Sequence, residues 1–434
     1  MARRYDGFPD VQLNLNVRGV PRSATLAINE RCAEMEHEGR SVFRLGLGQS
    51  PFPVPVPVVE CLRRNAHQKD YLPVQGLGAL RETIARHHRE EFGIDCEAGD
   101  VLIGPGSKEL MFLLQLVYYG DLVIPTPAWV SYAPQARIIG RHVHFLATAR
   151  EHGWRLSPEQ LEMLCSLDPG RPRIVVLNYP SNPTGGTYQE SELEELAAVA
   201  AANRVVLLSD EIYGKLHHEG DHRSIVPLYP QGTIFSGGLS KWCGAGGWRL
   251  GVFVVPRQMR WLLEAMAAAA SETFTSTSAP IQYAAVRAFD GGPEIEAYLV
   301  QCRRILKAIG TTLVQRLRSA GIDVLDPEGA FYLFPDFGPL AERLRAAGIT
   351  TSDALCERLL ADTGVAILPG SHFGRPPDEL AARLAYVNFD GEAALSAARD
   401  LPDGAPVDEA FARRWCGPSL EAIDRMVAWV EGLG

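Results

Sequence analysis

Seven short apolar runs constrain what this chain can fold into. VLIG at 101–104, DLVIPTP, HVHFL, RIVVLNYP, RVVLLSDE, TIFSGG and LGVFVVP at 250–256 recur between stretches of helical periodicity. Strand-like runs spaced by helices read as βαβ units, because parallel neighbours need a crossover long enough to carry the chain back. Their continuous apolar character means that both faces of the sheet are covered, which leaves the carboxyl ends of the strands for chemistry. The expected fold class is α/β: a large domain with a mainly parallel seven-stranded sheet flanked by helices, plus a smaller α+β domain that includes the strands GAFYLFPDF and RLAYVNFD.

The same pattern divides the chain. Residues 1–51 are expected to form an N-terminal arm and part of the small domain, 52–305 the large domain, and 306–434 the rest of the small one. Ser23 is placed to cap an amphipathic helix, SATLAINERCAEMEHEG, that ends at Gly39 before a short strand and the Pro-dense turn SPFPVPVPV. A long helix over PEIEAYLVQCRRILKAIGTTLVQRLRSAG links the domains, and RDLPDGAPVDEAF is the one late stretch that reads as a loop.

Charge narrows the partners. With 42 basic and 52 acidic residues the net charge is −10, which argues against nucleic acid or an anionic membrane surface. No apolar run approaches the ~18 residues of a membrane span. The opening MARRYDGFPDVQ has basic residues without an apolar stretch behind them, so a cytoplasmic protein is expected. Eight scattered cysteines without a C-x-x-C suggest neither a disulfide framework nor a zinc site, and reduced, mostly buried thiols are expected.

Three Gly-x-Gly spots fail as a dinucleotide fingerprint, because Pro51, Glu109 and Arg249 stand where the third glycine belongs. The spot VLI-GPGSKE-LMFLLQLV still reads as strand, glycine turn and helix, an arrangement that points free backbone N–H groups at an anion. The stretch from Phe235 to Gly251, FSGGLSKWCGAGGWRLG, says more. It sets Lys241, in a chain poor in lysine, inside a glycine- and serine-rich loop with Arg249 eight positions on. That layout suits an amine that bonds a carbonyl cofactor beside a clamped phosphate.

On these residues the chain resembles the fold-type I, pyridoxal-phosphate-dependent class I/II aminotransferases of the aspartate/aromatic kind. The resemblance extends along most of the chain in order: the opening helix and the turn at Gly48, Tyr71 in DYLPVQGLGALRETIA, Trp129 in PTPAWVSY, Asn182 in NYPSNPTGG, Asp210 and Tyr213 in LLSDEIYG, and Arg383 in ARLAYVNF. It implies pyridoxal 5'-phosphate as cofactor, held as a Schiff base on Lys241, with Asp210 pairing the ring nitrogen and Asn182 and Tyr213 donating to the phenolic oxygen. Trp129 would stack on the ring. Ser107, the backbone from Gly106 to Lys108, Ser240 and Arg249 would hold the phosphate, together with Tyr71 reaching across from the other subunit of a homodimer. Arg383 would pair bidentately with the substrate α-carboxylate, with Gly48 allowing close backbone approach.

The implied activity is transfer of an amino group between an L-amino acid and a 2-oxo acid by ping-pong half-reactions, with Lys241, Asp210 and Tyr213 catalytic. The chain departs from the family pattern at Gly48-Gln49-Ser50-Pro51, which stands for Gly-Glu-Pro-Asp and lacks its two acids, at Gly238, in the short turn GDLVIP, and in about twenty extra residues near the end. The first and last of these keep open an elimination, cyclisation or oxidation on the same scaffold. A cofactor-sensing transcription regulator is disfavoured by the acidic charge and by the lack of a DNA-binding region ahead of residue 23.

Overall fold

Apolar residues on adjacent positions of each central strand pack to opposite sides, and the architecture follows from that. The computed structural model describes residues 13–20, 24–402 and 405–433, so Ser23 and the opening MARRYDGFPDVQ lie outside the described residues. The strands are β1 (Phe43–Arg44), β2 (Val101–Gly104), β3 (Asp121–Thr126), β4 (Val143–Ala147), β5 (Arg173–Asn178), β6 (Val206–Asp210), β7 (Thr233–Gly238), β8 (Gly251–Val254), β9 (Tyr332–Leu333), β10 (Val365–Ala366), β11 (Leu368–Pro369) and β12 (Ala382–Ala385). All seven runs read from the sequence form one sheet, in the order β2-β8-β7-β6-β5-β3-β4.

Leu122, Ile124, Ile174, Val176 and Leu208 pack under the helices Ser107–Val117 and Arg260–Ser271. Val123, Val175, Leu177 and Leu207 pack on the other face against the helices Pro158–Leu167 and Glu190–Ala202. Both faces are therefore covered, which is why the runs are apolar without alternation.

Pairing is parallel from β4 through β3, β5 and β6 to β7, whereas β8 runs antiparallel to both β7 and β2. The reason is the connection: residues 239–250 join β7 to β8 without a crossover α-helix, so the chain turns back beside itself. The six remaining strands point one way, and the turns that leave their carboxyl ends face one region. That region receives the Gly106–Ser107 turn after β2, Trp129 after β3, Asn182 after β5, Asp210 at the end of β6, and Ser240–Lys241 after β7.

The other strands make two small sheets, β1 with β10 and the antiparallel trio β11-β12-β9. The helix Pro293–Ser319 runs unbroken across residue 305 and shares one core with both parts of the chain, from Leu80 and Val252 to Leu384 and Ile423. The late stretch expected to be a loop runs into a helix, Glu409–Trp415, capped by Asp408, whose carboxylate accepts from the Phe411 N–H at 2.9 Å. Phe411 and Cys416 enter the core, and Arg316 of the long helix pairs with Glu409 at 2.9 Å. The aspartate-proline-glycine composition hid a capped turn of helix. All eight cysteines are free, seven of them buried and Cys61 half-buried.

Candidate active site

A cavity of about 440 Å³ opens where the carboxyl ends of the large sheet meet the small sheets. Of the candidates named from the sequence, Gly48, Ser107, Lys108, Trp129, Asn182, Asp210, Tyr213, Ser240, Lys241, Arg249 and Arg383 line it. Gly106 sits just behind the wall, with φ +94°, a conformation only glycine adopts readily; a Cβ there would meet the Arg249 guanidinium at 2.1 Å. Tyr71 is not part of this wall and is 89% exposed.

Asp210 ends β6, is 3% exposed, and is held by neighbours on the flanking segments. Tyr132 donates to its Oδ2 at 2.6 Å and Ser236, opposite it on β7, donates to Oδ1 at 3.3 Å. Burial pushes the Asp210 carboxyl up to about 6 against those hydrogen bonds. A carboxylate kept poised in this way gains from a cationic partner, which would restore its ionised form.

Lys241 lies in the β7–β8 loop, with Nζ donating to the Gly48 carbonyl at 2.6 Å. Burial, aided by the positive Arg383, brings its ammonium down to about 8, and Asp210 acts in the opposite direction. At neutral pH roughly a tenth of it is the free amine, against a negligible fraction for an ordinary lysine. A free amine is what attack on a carbonyl requires.

Arg383, at the centre of the antiparallel trio, is 1% exposed. Its Nη1 donates to Asn182 Oδ1 at 3.1 Å, and Nη2 donates to the Gly46 carbonyl. Its Nε is buried without a partner, and among the described residues its recorded acceptors are neutral oxygens. The guanidinium lies between the Tyr332 and Phe373 rings at 4.9 and 5.0 Å. A buried cation without an anion is costly, so this group favours a ligand that brings a carboxylate.

At the opposite end, Ser107 begins the helix Ser107–Val117, whose first turn has unpaired N–H groups. Arg249, held by the Gly246 and Pro105 carbonyls at 3.0 and 3.2 Å, stands beside it. Lys108 places its ammonium 5.0 Å from the Trp129 ring centroid, and partial burial with the nearby Arg249 lowers its pKa. Two hydroxyls, a helix N-terminus and an arginine make an anion site suited to a phosphate.

Sequence reasoning missed Tyr132, Ser236 and Tyr332. Tyr132 stands three positions after Trp129 in PAWVSY, and Tyr332 lies in the strand GAFYLF; neither aromatic carries a signal of its own in the sequence. Asn178, whose Oδ1 accepts from the Asn182 N–H at 2.8 Å, was likewise visible only as the end of an apolar run.

Comparison with known proteins identifies the family. Residues 40–388 match the family model for aminotransferase class I and II. The aspartate aminotransferase of Geobacillus stearothermophilus is 34% identical over 386 residues, covering 87% of this chain and 94% of that protein. The asparagine–oxo-acid transaminase of Streptococcus mutans is 30% identical, covering 86% and 94%. The structure of Thermus thermophilus aspartate aminotransferase with maleate superposes with a TM-score of 0.82 at 28% identity, covering 96% of this chain and 99% of that one. The aspartate aminotransferase structure from Rhizobium meliloti also gives 0.82, at 27% identity over 97% and 99%. On the family model, these relatives and the matching fold, this chain belongs to the aminotransferase class I and II family and is a transaminase.

Proposed function

We propose that the cavity binds pyridoxal 5'-phosphate and that the enzyme takes an acidic amino acid, glutamate first, as amino donor. The donor set suits that cofactor. Ser107, Ser240, Arg249 and the helix N-terminus would hold its phosphate, Asp210 its ring nitrogen, Asn182 and Tyr213 its phenolic oxygen, and Trp129 its ring face. When bound, the cofactor supplies an aldehyde that condenses with amines and a ring that accepts electrons as a bond at the amino acid Cα breaks. The chain's own residues orient and move protons. Arg383 fixes the substrate α-carboxylate, which aims the Cα–H bond, and Lys241 as free amine takes the proton from Cα. Asp210 keeps a positive ring nitrogen stable.

The observation that carries this reading is Arg383, a buried guanidinium with an unpartnered Nε in the same cavity as a lysine brought down to about 8. Lys108 at the rim adds a second cation, and Gln49 lines the wall where the family pattern has an acid, so the field favours a second carboxylate on the substrate. A homodimer with Tyr71 acting in the neighbouring cavity, in the cytoplasm, completes the proposal. The relatives reported are all named as transaminases, which does not favour elimination or cyclisation.

Loading the protein with pyridoxal phosphate and adding single amino acids tests the reading through the change in visible absorbance. Glutamate and aspartate should convert the band, and Lys108→Ser should raise the KM for glutamate about fivefold while sparing alanine. If no amino acid converts the band, the proposal is wrong; equal losses for glutamate and alanine would remove Lys108 from specificity.

A further inference from the structure

Tyr332 has no part in the roles above, yet it touches both ends of the chemistry. Its hydroxyl stands 2.7 Å from that of Tyr213, and the two rings meet edge to face at 5.5 Å. On its other side the Arg383 guanidinium lies 4.9 Å from its ring centroid. Register explains the double contact. Tyr332 on β9 opposes Ala385 on β12, and residues 383 and 385 face the same side of their strand, so Tyr332 and Arg383 are diagonal neighbours on one face.

The hydroxyl has a fixed seat. A Cβ at Gly48 would come within 1.9 Å of it, and the same Gly48 accepts from Lys241 Nζ at 2.6 Å. Tyr332 and Tyr213 are 1% and 2% exposed, and among the described residues each hydroxyl has only the other as partner. Two phenols that share one hydrogen bond hold two protons and use one between them. Whichever oxygen accepts keeps its own O–H free for a third group. Both tyrosines line the cavity, and Tyr213 is the one assigned above to the cofactor's phenolic oxygen, so the useful arrangement has Tyr332 donating and Tyr213 accepting.

We propose that Tyr332 is a positioning residue, its hydroxyl donating to Tyr213 so that Tyr213 keeps its own proton for the cofactor's phenolic oxygen, while its ring seats Arg383 for the substrate carboxylate. This rests on the reading of the cavity given under Proposed function. The hydroxyl and the ring then act on different halves of the site, and substitutions separate them.

The test is a pH titration of the visible absorbance of the pyridoxal-phosphate-loaded protein without amino acid, with maleate binding measured alongside. Tyr332→Phe removes one buried oxygen and keeps the ring. Its absorbance midpoint should rise by about half a pH unit, because a weakened donor at Tyr213 stabilises the phenolate less. Its maleate affinity should stay within about twofold of wild type, since the ring remains. Tyr332→Leu should show the same shift and also bind maleate about fivefold more weakly. A Phe variant that titrates with wild type, or a Leu variant that binds maleate as tightly as the Phe variant, overturns the inference while the cavity reading stands. A wild-type protein that takes up no pyridoxal phosphate overturns both.

Discussion

The two ends of the cavity are built in opposite ways. The floor comes from consecutive parallel strands, with Asn178, Asp210 and Ser236 set side by side by the register of β5, β6 and β7. Its buried carboxylate is satisfied from within, by Tyr132 at 2.6 Å and Ser236 at 3.3 Å. The wall is assembled from segments far apart in sequence: Arg383 reaches Asn182, 201 positions away, and Gly46, 337 positions away. Its buried cation has only neutral oxygens as acceptors and an Nε with none. The carboxylate has hydrogen bonds from its own chain and would act on the cofactor, whereas the cation, left short of an anion, would take the substrate carboxylate. Changes to the floor should therefore fall on kcat, and changes to the wall on KM.

The largest effect would come from Lys241→Ala, which removes the amine proposed above both to bond the cofactor and to act as base at Cα. Turnover should fall by at least about 10⁴-fold while the folded protein still binds pyridoxal phosphate non-covalently. Mixing this variant with Tyr71→Phe should restore part of the activity through hybrid dimers, measured after co-refolding. No recovery, with activity persisting in a monomer at high dilution, would remove Tyr71 from the neighbouring site.

The wall should answer differently. Arg383→Lys keeps a positive charge and loses the planar fork, so the KM for glutamate should rise about thirtyfold with kcat changed by no more than about threefold. Steady-state kinetics decide it. A kcat loss as large as the KM rise would mean that the guanidinium also orders the floor, and the contrast between the two ends would collapse.

How much of this was legible in the sequence follows the same division. The strands of the floor could be read because apolar runs buried on both faces leave a continuous signal, and the cavity-lining residues they carry sit within one turn of each run, as Asp210 and Lys241 do. The antiparallel course of β8 was not legible, since its run looks like the others and only the lack of a helix over 239–250 betrays it. Arg383 could be read as a motif, but its seat could not: the Tyr332 ring reaches it through strands two to four residues long, too short for any periodicity. Tyr132 was hidden for another reason, because an aromatic that begins a helix gives no sign that its hydroxyl serves a carboxylate 78 positions on.

That tyrosine gives the smallest and most discriminating test of the floor. In the protein without cofactor the Asp210 carboxyl is raised to about 6, with burial the main cause and the Tyr132 hydrogen bond the largest opposing one. A carboxyl whose folded pKa lies above its unfolded value binds a proton more readily when folded. Its ionisation therefore costs stability as pH rises from about 4 to about 6, and the cost persists above that range. For the chemistry the sign is reversed, because only the ionised form holds a cationic ring, so cofactor affinity should fall as pH drops through 6. Tyr132→Phe deletes a hydrogen bond made to the charged form and should move that midpoint up by about one pH unit. The loss of cofactor affinity should then be several-fold at pH 6 and small at pH 8, read by equilibrium dialysis across that range. A uniform loss at every pH would show that Tyr132 only fills space beside Trp129, and the floor would owe its poise to burial, the Ile212 N–H and Ser236.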